Sequence, residues 1–130
     1  MEPKAPSHPA LRGLAAHLAK HRANTARLLA LLAEFDRRKL YLSAGYTSTY
    51  LYCVHEFKMD EDEARERVEV ARTAREFPAL FPALEEGQLE LFSVMQLAPH
   101  LTADNVDELI AAATHKTEAQ LDRLLAERFA

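Results

Sequence analysis

The chain is short of cysteine, glycine and β-branched residues, and each shortage removes a class of protein. A single cysteine excludes an internal disulfide framework and a cysteine-rich zinc site. Cys53 falls inside a predicted helix and reads as a small buried hydrophobe in a reducing compartment. Valine and isoleucine are few, glycine occurs three times, and no alternating apolar run is bounded by turn dipeptides, so strand signals are almost absent. Nowhere do eighteen apolar residues run together, and "MEPKAPSHPALRGL" lacks the apolar stretch of a signal peptide. These absences predict a soluble, cytoplasmic protein with no membrane partner.

What is present points to helices. The 130 residues are 48% apolar and 28% charged, enough for one real core, and leucine, alanine, glutamate and arginine dominate. The expected fold is all-α, about seven helices, with a long N-terminal helix followed by a compact bundle that contains a helix-turn-helix-like unit. Residues 1–10, with three prolines, read as a disordered tail and 11–130 as a single helical domain. Net charge is −4 but polarised: residues 1–58 carry nine Lys/Arg against four Asp/Glu, and residues 59–130 seven against sixteen. Such a chain binds an anion with one half, or its halves attract each other within or between molecules.

From Leu11 a helical period runs to about Leu42. Leu11, Leu14, Leu18, Thr25, Leu28, Leu32, Phe35 and Leu42 occupy a and d heptad positions, with His21 and Lys39 as polar exceptions. Leu29, Leu31 and Leu40 widen this stripe. Gly45 suits a left-handed helix end, and Thr47 or Ser48 can cap a second helix over 48–57. A third helix is predicted from Asp60, with capping-box spacing to Glu63, to Phe77, its inward stripe being Ala64, Val68, Ala71, Ala74 and Phe77. Shorter helices follow over about 79–86 and 89–98, then a sixth that Thr102 can cap and that runs through Ala113, and a seventh over 118–129 with a Thr117/Gln120 capping box.

Chemistry-bearing candidates are sparse. His17 and His21 share a helix face but lack a third ligand, and Cys53 and His55, two apart, point away from each other. No compact set of nucleophile, base and orienter can be assembled, and no cofactor or metal site is expected. Arg37, Arg38 and Lys39 are the densest basic cluster. With Arg27 and Lys58 they can line one side of the corner between the first two helices. The third helix opens with Asp60, Glu61, Asp62 and Glu63, which suit a helix N-terminus but would repel flanking phosphates, with Arg65 and Arg72 as the nearby relief. The candidate DNA contacts are therefore Arg27, Arg37, Arg38, Lys39, Lys58, Arg65 and Arg72. Leu11, Leu14, Leu18, His21, Thr25 and Leu28 are the candidate homodimer interface.

The segments "GYTSTYLYC", "AREFPALFPALEEGQL", "LAPHLT" and "AAATHKTEAQLDRLLAERF" resemble, in order, the helical N-terminal region upstream of the nuclease module in bacterial, myxobacterial-type HNH endonuclease proteins. That resemblance implies an accessory domain, non-catalytic by itself, working with an HNH nuclease module in cis or in trans. His100, Asn105 and His115 have the right letter order for such a module but lie in helix ends and caps, without the paired strands it needs. A local similarity to the helix-turn-helix core of ParB-type partition proteins puts Ala64 and Val68 at inward positions of a recognition helix. Lys58 stands there where a turn glycine is common. The alternative from another class is a stand-alone adaptor or regulator that dimerises without binding DNA.

Overall fold

The computed structural model describes residues 8–130, and among these the chain forms seven α-helices and no strand. Helix α1 (Pro9–Arg37) begins where His8 Nδ1 accepts from the Ala10 N–H at 3.1 Å and proline supplies the first helical residue. Proline suits that position because its missing N–H would have no intrahelical partner there. Pro9 and Ala10, expected in the tail, are thus helical; residues 1–7 of that expectation lie outside the described residues.

The same helix ends five residues earlier than its period predicts. Lys39 adopts a left-handed conformation (φ +53°), its N–H donates to Asp36 O and the Leu40 N–H to Phe35 O, both at 3.1 Å. These two bonds form a Schellman closure that satisfies the last carbonyls of α1. Leu40 and Leu42 therefore leave the helical stripe and lie exposed in the turns that lead to Gly45. Gly45 is left-handed (φ +91°), as expected, but it closes these turns rather than the helix itself.

Ser48 caps α2 (Thr49–Glu56), its Oγ accepting from the Leu51 N–H at 3.1 Å. Lys58 sits at φ +55° in the following turn, so a lysine holds the conformation for which a glycine would be expected. Asp60 caps α3 (Glu61–Glu76) by accepting from the Asp62 N–H. Glu63 closes no capping box; it pairs with Arg67 at 3.7 Å. Helix α4 (Leu80–Glu85) ends in a second Schellman closure at Gly87, φ +76°. A Cβ there would lie 2.9 Å from the Arg22 guanidinium, so glycine both makes the turn and lets Arg22 cross it.

A Glu90/Ser93 capping box starts α5 (Leu91–Leu97), which runs into a 3₁₀ turn at Ala98–His100. Helix α6 (Val106–Ala113) has Asn105 as its N-cap, three residues beyond the expected cap Thr102. Thr102 and Asn105 cap each other first, the Thr102 N–H donating to Asn105 Oδ1 at 2.8 Å and the Asn105 N–H to Thr102 Oγ1 at 3.2 Å. Helix α7 (Glu118–Arg128) carries the predicted Thr117/Gln120 box.

Helix α3 is central, with α1, α2 and α5 packed against it, while α4 lies against α1 and α7 against α5. Its inward residues Ala64, Val68, Val70, Ala71 and Ala74 are buried, and their small side chains let α1 approach closely. Leu29, Leu80, Leu89, Leu97, Leu109 and Leu121 fill the core, each contributing about 1.5–3 kcal/mol by burial.

Candidate interaction surface

Helix α1 has two unlike halves. Every residue from His8 to His21 is exposed. Arg22 is the first half-buried residue of the helix, and its side chain lies over Gly87 with its guanidinium 3.8 Å from Glu90. Ala26 and Leu29 are the first buried side chains. Leu11, Leu14 and Leu18, spaced for one face, are 54%, 57% and 43% exposed. Of the other candidates on this face, His21 is exposed, whereas Thr25 and Leu28 are half-buried at the edge of the bundle.

Further along the same face the helix enters an apolar cleft of about 190 Å³, where Leu28, Leu31, Leu32 and Phe35 meet Tyr52 and Phe57 of the α2 end. Leu31 and Phe57 remain more than half exposed. The wall is held by aromatic contacts: the Tyr52 ring lies 4.7 Å from Phe35 and meets Tyr46 and Phe57 edge-on, each at 5.4 Å. Edge-on pairs orient rings specifically, because the positive ring edge seeks the negative face. The Tyr46 hydroxyl donates to Glu56 at 2.7 Å, and that bond raises the phenol pKa. Tyr52 is not among the candidates named from the sequence; the recurrence of aromatics at 35, 41, 46, 50, 52 and 57 is the signal that could have found it.

The candidate cations are divided. Arg72 grips Asp36 with two hydrogen bonds of 2.9 Å, Arg75 reaches the same carboxylate at 3.4 Å, and the buried Thr49 hydroxyl donates to it at 2.7 Å. The Arg72 hydrogen bonds, and after them those of Thr49 and the Arg75 charge, hold Asp36 below the usual carboxylate range although burial opposes this. Arg72 is therefore a clamp between α3 and α1. Arg37 and Arg38 both reach Glu34 at 2.6 Å, and the Arg37 bond lowers the Glu34 pKa. Arg65 pairs with Asp62 at 3.2 Å and lies over the Tyr50 ring. Arg27, ten residues before Arg37, lines a hollow toward α4 with Phe81 and Glu85. Among the described residues, no carboxylate comes within salt-bridge distance of Lys39 or Lys58.

The remaining polar candidates have structural partners. His100 stacks on Phe129 at 4.3 Å and its carbonyl accepts from Asn105 Nδ2 at 2.9 Å. His115 is left-handed (φ +59°) and its N–H donates to Gln88 O. Cys53 is fully buried, which pushes its thiol pKa up. Among the described residues no three His, Cys, Asp or Glu side chains gather as a metal site, and no helix is long and apolar enough to cross a membrane. In comparisons with known proteins, no family model, no curated protein and no solved structure matches this chain.

Proposed function

We propose that this domain is a non-catalytic joining module whose first helix brings two copies together. One observation carries the reading: a heptad-spaced leucine face, Leu11, Leu14 and Leu18, stands in water on a helix that has left its own bundle. Full burial of an exposed leucine is worth about 1.5–3 kcal/mol, and these three, about half exposed, leave roughly half of that each for a second copy to recover. In an HNH endonuclease-like protein, the kind that the sequence resembles, the module would position or pair nuclease modules held in cis or in trans. As a stand-alone adaptor it would pair whatever else it binds.

Light scattering at neutral pH is expected to give twice the 14.7 kDa chain mass. Leu14→Glu with Leu18→Glu is expected to halve that mass and leave the helical circular-dichroism signal nearly unchanged, since both side chains are exposed within the chain. A wild-type monomer at high micromolar concentration removes the joining role.

Duplex DNA contact is the second reading. It is favoured by the excess of positive charge at the α1 terminus, where Arg37 and Arg38 share one carboxylate, Glu34, and Lys39 beside them reaches none. The contact would be weak and indifferent to sequence.

A further inference from the structure

Helix α1 starts on a group of a different kind from the other caps. Helices α2, α3, α5 and α7 start on Ser48, Asp60, Glu90 and Thr117, hydroxyls and carboxyls of types that keep one charge state from about pH 5 to 8. The α1 cap is His8, whose Nδ1 accepts from the Ala10 N–H at 3.1 Å. That bond requires the neutral ring with its proton on Nε2, because a protonated imidazole has two donors and no acceptor. Protonation therefore removes the cap and sets a cation at the positive end of the helix dipole.

The residues that follow do not offset that charge. The first carboxylate of α1 is Glu34, and residues 8–33 contain no Asp or Glu. The stretch from His8 to His21, exposed throughout, carries Arg12 and Lys20 as fixed cations together with His8, His17 and His21. Each histidine has another basic residue one helical turn away, His8 facing Arg12, and His17 facing both Lys20 and His21. Protonating the imidazoles raises the positive charges on the stretch from two to five. The acids that approach α1 from its neighbours lie beyond these histidines: Glu90 reaches Arg22 at 3.8 Å, and Glu85 of α4 borders the hollow beside Arg27. Among the described residues, no carboxylate lies within salt-bridge distance of His8, His17 or His21.

We propose that the exposed half of α1 is a pH-sensitive arm, helical at neutral pH and unwound from His8 to about His21 in mild acid while the bundle stays folded. The unwound chain takes up the same protons without losing a cap or crowding charges on one helix face, so a falling pH favours it. Unwinding stops at Arg22, which lies across Gly87 and meets Glu90. The bundle responds only at lower pH: Arg72, and then Thr49 and Arg75, hold the Asp36 carboxyl below its usual range, so the α1–α3 clamp stays ionised while the imidazoles titrate. The arm goes beyond the joining role and does not need it, since cap and charges lie within one chain. Where the joining role holds, acid withdraws the face that carries Leu11, Leu14 and Leu18.

Alpha-carbon NMR shifts followed residue by residue from about pH 7.5 to about pH 5.5 test the arm. Residues 10–19 are expected to lose at least half of their helical shift, while Leu29, Ala33 and the buried alanines of α3 keep theirs. The triple variant His8→Asn, His17→Gln and His21→Gln, which retains a cap acceptor but nothing that titrates in this range, is expected to stay helical throughout. Wild-type shifts that do not move, a variant that unwinds alongside the wild type, or equal losses in α3 each overturn the arm. Light scattering on the same samples separates this from the joining role. A wild-type monomer whose shifts still move with pH removes the joining role and supports the arm, whereas a dimer with unmoved shifts does the reverse.

Discussion

Asp36 concentrates the stability of the α1–α3 contact in one carboxylate. Its side chain is 10% exposed and takes bonds from Arg72, Arg75 and Thr49, whereas the two arginines are 50% and 38% exposed. Removing the acid therefore leaves arginines that water can resolvate but strands a buried threonine hydroxyl. Asp36→Ala is expected to cost about 1.5–3 kcal/mol, the range for hydrogen bonds to a charged group, read by urea unfolding. Because the folded pKa is lowered, this stabilisation is fully present above the unfolded value near pH 4 and is lost as pH falls through the folded value. Thermal unfolding followed from pH 7 down to 2 should show an acid limb below about pH 4 that is shallower in Asp36→Asn. An unchanged limb would mean that other carboxylates govern acid unfolding. Lys58 makes the opposite case, since its φ of +55° strains any side chain. Lys58→Gly is expected to stabilise by about 0.5–1 kcal/mol, the left-handed penalty of about 1–2 kcal/mol less the entropy glycine loses on folding. A destabilised variant would show that the lysine side chain holds the turn.

At the scale of elements, the sequence was legible wherever periodicity or a side-chain cap sets a boundary. The Thr117/Gln120 box of α7 and the α2 cap, narrowed to Thr47 or Ser48 and taken by Ser48, follow from spacing because each is a contact between near neighbours in the chain, and the inward stripe of α3 follows from helical periodicity. The end of α1 does not. Its apolar period continues through Leu40 and Leu42, and the helix stops because Lys39, a residue with no left-handed preference, takes the closing position. Tertiary packing decides there: Asp36 must meet Arg72 and Thr49, and the turn that follows brings Thr49 to it. The candidate surface divides in the same way. Its exposed half was legible as a heptad on a helix too long for its bundle. The cleft was not, since Tyr52 and Phe57 meet Phe35 only after α2 folds back.

Across the whole molecule, charge rather than shape limits what the domain can do with DNA. A net charge of −4 opposes a polyanion at long range, and the four carboxylates from Asp60 to Glu63 stand at the start of the helix that a helix-turn-helix would present. Of the seven candidate cations, Arg72 is engaged with Asp36, Arg65 with Asp62, and Arg27 lies toward α4. That leaves Arg37, Arg38, Lys39 and Lys58, with Glu34 offsetting one of them. Three or four phosphates neutralised correspond to a slope of log K against log salt of about −3 to −4, and non-specific binding of this kind has dissociation constants of about 10⁻⁴ to 10⁻⁶ M at physiological salt. Fluorescence anisotropy with a random duplex is expected to detect binding at low salt that collapses on raising it. Replacing Arg37, Arg38 and Lys39 with Glu is expected to abolish it, and Lys58→Gly to reduce the slope by about one. Tight, sequence-selective binding at physiological salt would show instead that α3 reads bases through its acids, and the joining role would then serve to place two such helices on one duplex.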